Sequence, residues 1–166
     1  MVDSPPQSRR GSHALLTALM LGYAALYTAL SWLRLRNFHA QIDMSFYLRL
    51  VWGLSQGRVD LPLVQARHFL GLHLEPVLFP LAALARLGAP LGPLLLLVQA
   101  IAVALCAWPA YRLASRALPP PADRNPPDLA PLGCAALALL YPTLTVQTLF
   151  DFHPVTLALA PLLGVV

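Results

Sequence analysis

The chain alternates long apolar runs with short polar interruptions, and the lengths of the runs predict its elements. Residues 14–33 form an uncharged, mainly apolar stretch, with Arg9 and Arg10 before it and Arg34 and Arg36 after it. As a helix it would reach roughly 30 Å, the thickness of a bilayer's hydrocarbon core. This predicts a first transmembrane helix behind a polar tail, 1–13. The run is longer than the core of a secretory signal, so an uncleaved anchor is expected. Runs at 91–113 and 129–149 predict a second and a third span. Pro93 suits the first turn of the second, where a missing N–H costs nothing. Pro109 and the Tyr141-Pro142 pair predict kinks. The Pro-rich connector 114–128 cannot continue either helix. A fourth span would begin after Pro154, but 155–166 is too short to cross. This predicts a truncated product or the N-terminal part of a longer chain.

Between the first two spans lies a loop, 34–90, in which the apolar period changes. Met44, Tyr47, Leu48, Val51, Trp52 and Leu54 recur on one face of 44–56, opposite Ser45, Arg49 and Gln56. That is an amphipathic helix suited to lie on the bilayer, ended by Gly57. A second short apolar helix, 76–87, suits a juxtamembrane position. Three spans place this loop and the turn 150–154 on the same side whichever way the chain is inserted. The arginines of the tail and of the 114–128 connector lie close to the spans. Under the positive-inside rule these segments are cytoplasmic and the loop and turn are external. The expected location is the cytoplasmic (inner) membrane, crossed several times.

Composition agrees with this reading. The chain is 58% hydrophobic and 11% charged, with a mean hydropathy of +0.65, where a soluble domain carries roughly 25% charged residues. All eleven basic residues are arginine, and they are scattered. The basic pI of 9.6 therefore forms no stripe for nucleic acid. Arg112 and Arg116 are placed to snorkel to the interface. Cys106 and Cys134 fall in apolar runs as small hydrophobes, with no disulfide framework.

The candidate chemistry is external. Asp43 is placed to cap the amphipathic helix by accepting from the N–H of Ser45 or Phe46, or to serve as a general base at the membrane surface. "RHFLGLHLEP" supplies His68, His73 and Glu75, and "FDFHP" supplies Asp151 and His153. Ionisable groups beside lipid are expensive, so these five are candidates to bind a divalent metal or a phosphate. A capped turn explains Asp151 and Pro154 but not the histidine. Arg58 and Arg67 are candidate phosphate contacts. Gln99 and Gln147 are expected to make interhelical hydrogen bonds.

The segments "IDMSFYLRLVWGLSQGR", "HFLGLHLEPVLFPLAALARLGAPLGPLLLLVQAIAVALCAWPAYRLASRAL" and "LLYPTLTVQTLFDFHPVTLA" resemble a family of multi-span prokaryotic membrane proteins, the domain-of-unknown-function family two thousand and seventy-nine. More distantly, the layout resembles the GT-C membrane glycosyltransferases. They too have a first span, an external loop opening with an acid and an amphipathic helix, and a second span ending in a motif like "YRLASRAL". That resemblance implies an all-α integral membrane protein, the N-terminal part of a GT-C-like bundle. It further implies sugar transfer from a polyprenyl-phosphate donor, with Asp43 catalytic and Asp151 near metal or donor. Many members carry a second acid beside the first, where Met44 stands here. The rival readings are a transport or lipid-binding protein without chemistry, and an inactive remnant.

Overall fold

The computed structural model describes residues 7–39, 42–58, 75–119 and 128–165. In chain order the helices are α1 (Gln7–Arg36), α2 (Ile42–Ser55), α3 (Leu78–Arg86), α4 (Leu91–Ala104), α5 (Ala107–Ala117), α6 (Leu129–Leu139) and α7 (Pro142–Phe150). A 3-10 turn (Pro154–Ala158) then leads into α8 (Leu159–Gly164). No strand occurs among the described residues. Two helical stretches are long and apolar enough to cross a membrane, Gly11–Arg36 and Leu91–Ala117. The α6–α7 pair, bent by 48°, makes a third if taken as one span. The protein is an all-α membrane protein.

Both breaks follow from proline. Pro109 has no N–H for the carbonyl of Leu105, and its ring crowds that carbonyl. The second span therefore breaks at Leu105–Cys106, one turn ahead of the proline rather than at it. Trp108 N–H bonds to Leu105 O three residues back, and Cys106 N–H to Val103 O. At the other break Tyr141, preceding Pro142, is driven to an extended backbone (ψ 124). The tail expected at 1–13 is also shorter than the sequence suggests, because helix begins at Gln7. Its early turns are docked: Ser12 Oγ accepts from Asp128 N–H at 3.1 Å, and Leu16 is fully buried. Asp128 in turn caps α6, its carboxylate accepting from Ala130 N–H.

Two apolar clusters hold the bundle. At the connector end Leu16, Tyr23 and Ala24 of α1 meet Val103, Ala104, Ala107, Tyr111, Ala135 and Leu139. Small residues there let the backbones approach. At the opposite end α2 and α3 close over the bundle through Met44, Tyr47, Leu50, Val51, Leu78 and Leu81, packed on Leu95, Leu96 and Phe152. The buried stripe of α2 differs from the one its period suggested. Leu50 and Ser55 are inside, and Trp52 faces outward beside the Arg58 guanidinium, 5.8 Å from the ring centre. Leu15, Leu21, Leu26, Leu33, Leu97, Ile101 and Leu137 are exposed along the spans, as side chains facing lipid should be. The loop helices end in the same way. Gly57 (φ 77) and Gly88 (φ 98) take the left-handed conformation that lets Arg58 N–H reach Gly53 O and Ala89 N–H reach Leu84 O.

α1 and α4 approach closely at Gly92. A methyl group there would stand 3.0 Å from Leu35 Cδ2 and 3.5 Å from Trp32 Cζ3, whereas one at Gly133 would meet nothing within 4 Å. Gly92→Leu is expected to destabilise the detergent-solubilised protein by about 1–3 kcal/mol. Gly133→Leu should leave the thermal midpoint unchanged or higher, since glycine is a poor helix former. Equal midpoints for the two variants would show that the α1–α4 contact is not tight.

Candidate functional site

The site is assembled by the segment leaving α7. Asp151, Phe152 and His153 run extended between α7 and the 3-10 turn, which Pro154 opens at its first position. A helix leaves its last carbonyls without partners, and lipid offers none. Here side chains from other helices meet them. Ser31 Oγ of α1 donates to Thr148 O at 2.9 Å. Gln99 of α4, fully buried, donates through Nε2 to Asp151 O at 2.8 Å and Gln147 O at 3.1 Å. Its Oε1 accepts from His153 N–H at 2.6 Å. The partners fix the orientation of the amide, since a carbonyl can only accept and an N–H only donate.

Asp151 is buried and turned to α2. Its Oδ2 accepts from Met44 N–H at 3.0 Å, one of the N–H groups that the first turn of α2 leaves unpaired. The sequence assigned such capping to Asp43, and the structure reassigns it. The carboxylate at the start of α2 comes from a residue far along the chain, and Asp43 is thereby released. The Oδ2 of Asp43 stands 3.3 Å from His153 Nε2, with the carboxylate half exposed and the imidazole about three-quarters covered. His153 Nδ1 lies 3.0 Å from Asp151 O. The carbonyl only accepts, so Nδ1 carries a hydrogen. Nε2 then faces the Asp43 carboxylate, and a protonated imidazole pairs with it as an ion pair. Asp43 and His153 thus form a carboxylate–imidazole pair at an open surface.

Glu75 joins through a residue the sequence reading used only as packing. Tyr47, one turn after Asp43, donates its hydroxyl to Glu75 Oε1 at 3.0 Å and sets its ring edge-on to Phe152, with centroids 5.3 Å apart. Burial, with the Glu75 and Asp43 carboxylates nearby, holds the phenol well above its usual range, so it remains a donor. Beyond Glu75 a cavity of about 530 Å³ opens between the start of α3 and the 3-10 turn, lined by Pro76, Val77, Pro154, Val155 and Leu157.

The structure therefore brings Asp43, Glu75, Asp151 and His153 into one cluster and places Arg58 elsewhere, past the far end of α2. His68, His73 and Arg67 lie outside the described residues. Among the described residues no three His, Cys, Asp or Glu side chains group as metal ligands do. Gln99 makes the interhelical bonds expected of it and does more, since it bonds to both ends of the Asp151–His153 segment.

Two substitutions test this geometry. Gln99→Leu would leave His153 N–H without its partner and remove the amide from Asp151 O and Gln147 O, and is expected to lower unfolding stability in detergent by about 2–5 kcal/mol. A loss under about 1 kcal/mol would mean that the amide does not hold the segment. Tyr47 in an unfolded chain ionises near pH 10 and in the folded chain higher, so above that pH the unfolded state sheds the proton first. The stabilisation from the phenol is whole below about pH 10 and declines above it. The wild type should lose its stability margin over Tyr47→Phe as the pH is raised past about 10. A margin constant to pH 11 would contradict the buried-phenol geometry.

Residues 34–166, from the end of α1 onward, match the family described as predicted membrane protein, DUF2079. No curated protein and no solved structure matches the chain. The match takes in the whole Asp43–His153 cluster and most of the bundle, and the chain belongs to the DUF2079 family of membrane proteins.

Proposed function

We propose that this protein transfers a sugar from a polyprenyl-phosphate donor to an acceptor hydroxyl at the outer face of the cytoplasmic membrane, with Asp43 as the general base. The observation that carries the reading is the Asp43–His153 pair: a half-exposed carboxylate on a surface helix, held at 3.3 Å by an imidazole from another part of the bundle. In an inverting transfer the acceptor oxygen attacks the anomeric carbon as its proton passes to Asp43. The carbon–oxygen bond to phosphate breaks and the phosphate keeps the electron pair. One base suffices, which matches Met44 standing where a second acid would be.

The described residues alone do not make a metal set. Asp151 accepts from Met44 N–H and Glu75 from the Tyr47 hydroxyl, so no step is assigned to a metal. His153, with His68, His73 and Arg67 as further candidates, would face the charge growing on the donor phosphate. The apolar cavity beside Glu75 equally suits a lipid-binding protein without chemistry, and one substitution separates the two. With the full chain in membranes supplied with labelled polyprenyl-phosphate sugars, Asp43→Asn should lower product formation at least about 100-fold while leaving membrane abundance and donor-lipid retention intact. Product formed at the wild-type rate would defeat the catalytic assignment. Lipid retained by a wild type that forms no product would favour the binding role.

A further inference from the structure

A second cavity, of about 480 Å³, lies at the connector end of the bundle, where α8 returns alongside α5. Its wall is apolar: Leu105 and Trp108 from the second span, Pro161 and Leu163 from α8. Arg112 and Arg116, four residues apart and so on one helix face, line it as well. No acidic residue lines the cavity, and both arginines are exposed. Among the described residues neither has a carboxylate partner.

Depth gives this arrangement a meaning. The stretch Leu91–Ala117 has 27 residues and extends about 40 Å as helix, roughly 10 Å more than a hydrocarbon core. Counted from Leu91, the surplus turns contain both arginines, a position that suits guanidinium groups to the level of lipid phosphates. Trp108, one turn inward, stands where aromatic side chains collect in membrane proteins. Arginines at a span end ordinarily snorkel into solvent from a convex surface. These two stand over a groove between two helices, with an apolar wall at acyl-chain depth.

We propose that the α5–α8 groove binds an anionic phospholipid, its phosphate between Arg112 and Arg116 and one acyl chain along Leu105, Trp108 and Leu163. The planar fork of arginine fits phosphate oxygens. A zwitterionic headgroup offers the same phosphate but adds an ammonium that two guanidiniums repel, so the groove selects net negative charge. This site lies at the opposite end of the bundle from Asp43 and does not depend on the proposed transfer reaction.

The test uses the full chain in nanodiscs of phosphatidylcholine with a minority of phosphatidylglycerol, and native mass spectrometry to count the lipids that remain bound. One phosphatidylglycerol should be retained, enriched over its bilayer fraction by about tenfold or more. The double variant Arg112→Ala/Arg116→Ala should abolish the enrichment. Leu163→Trp, which fills the groove and keeps both charges, should abolish it too, and it carries the test if the double variant fails to reach the membrane. Arg36→Ala, at the other end of the bundle, should retain the enrichment. The proposal is overturned if phosphatidylcholine is retained equally, or if the enrichment survives Leu163→Trp. It also falls if millimolar inorganic phosphate displaces the lipid, which would make this a site for a free oxyanion.

Discussion

One buried side-chain amide determines whether the polar segment after α7 can exist at membrane depth. Gln99 lies eight residues past Leu91, about 12 Å along its helix, among residues that are otherwise apolar. A helix that ends there exposes carbonyls with no water to satisfy them. The amide answers in both directions, donating to carbonyls around the end of α7 and accepting from the backbone of His153. An aspartate, an aromatic ring and a histidine can then be placed at fixed positions where lipid would otherwise forbid an irregular backbone. Each of the other contacts of the site, with α2, Tyr47 or Asp43, starts from that fixed segment.

Electrostatics explains why the segment carries those residue types. α7 directs its negative end and α2 its positive end at the same place. Asp151 meets the Met44 N–H of α2, and the histidine donates to Asp151 O at the carbonyl end of α7, so an acceptor faces the positive helix end and a donor the negative one. The cap from Asp151 leaves Asp43 to face outward with His153, while Tyr47 occupies Glu75. Of the three carboxylates, one serves a helix end, one a phenol, and one stands at the surface beside an imidazole.

Much of this was legible in the chain. The spans, the kink at Pro142 and the companionship of Asp43 with His153 on one side all follow from run lengths, proline chemistry and the parity of three crossings. Other features were not legible, for physical reasons. Asp43 reads as a cap because local spacing allows it, and no local pattern can show that Asp151, from another part of the chain, meets the first turn of α2 at Met44 N–H. The apolar period admits Trp52 to the face of α2 that is expected to lie on the bilayer. What lies beneath that helix, Leu95, Leu96 and Phe152, selects the stripe through Leu50 instead. The break before Pro109 could have been placed correctly, since the crowded carbonyl belongs to the residue four back. Tyr47 gave no signal apart from its partner, because a tyrosine at helical spacing reads as packing.

The cap on α2 has a consequence for the order of biogenesis. Met44 N–H and the Asp151 carboxylate that meets it are 107 residues apart in sequence. A ribosome adding about 5–20 residues per second needs roughly 5–20 s to cover that distance. During this interval α2 has emerged while its cap has not been synthesised, and the helices α4 to α7 have still to follow it. The amphipathic helix is therefore first a guest of the lipid surface and only later a lid on the protein. Asp43 and His153 meet at the end of that sequence, so the pair forms only when the segment after α7 has packed against α2, and a chain stalled earlier carries Asp43 without its imidazole.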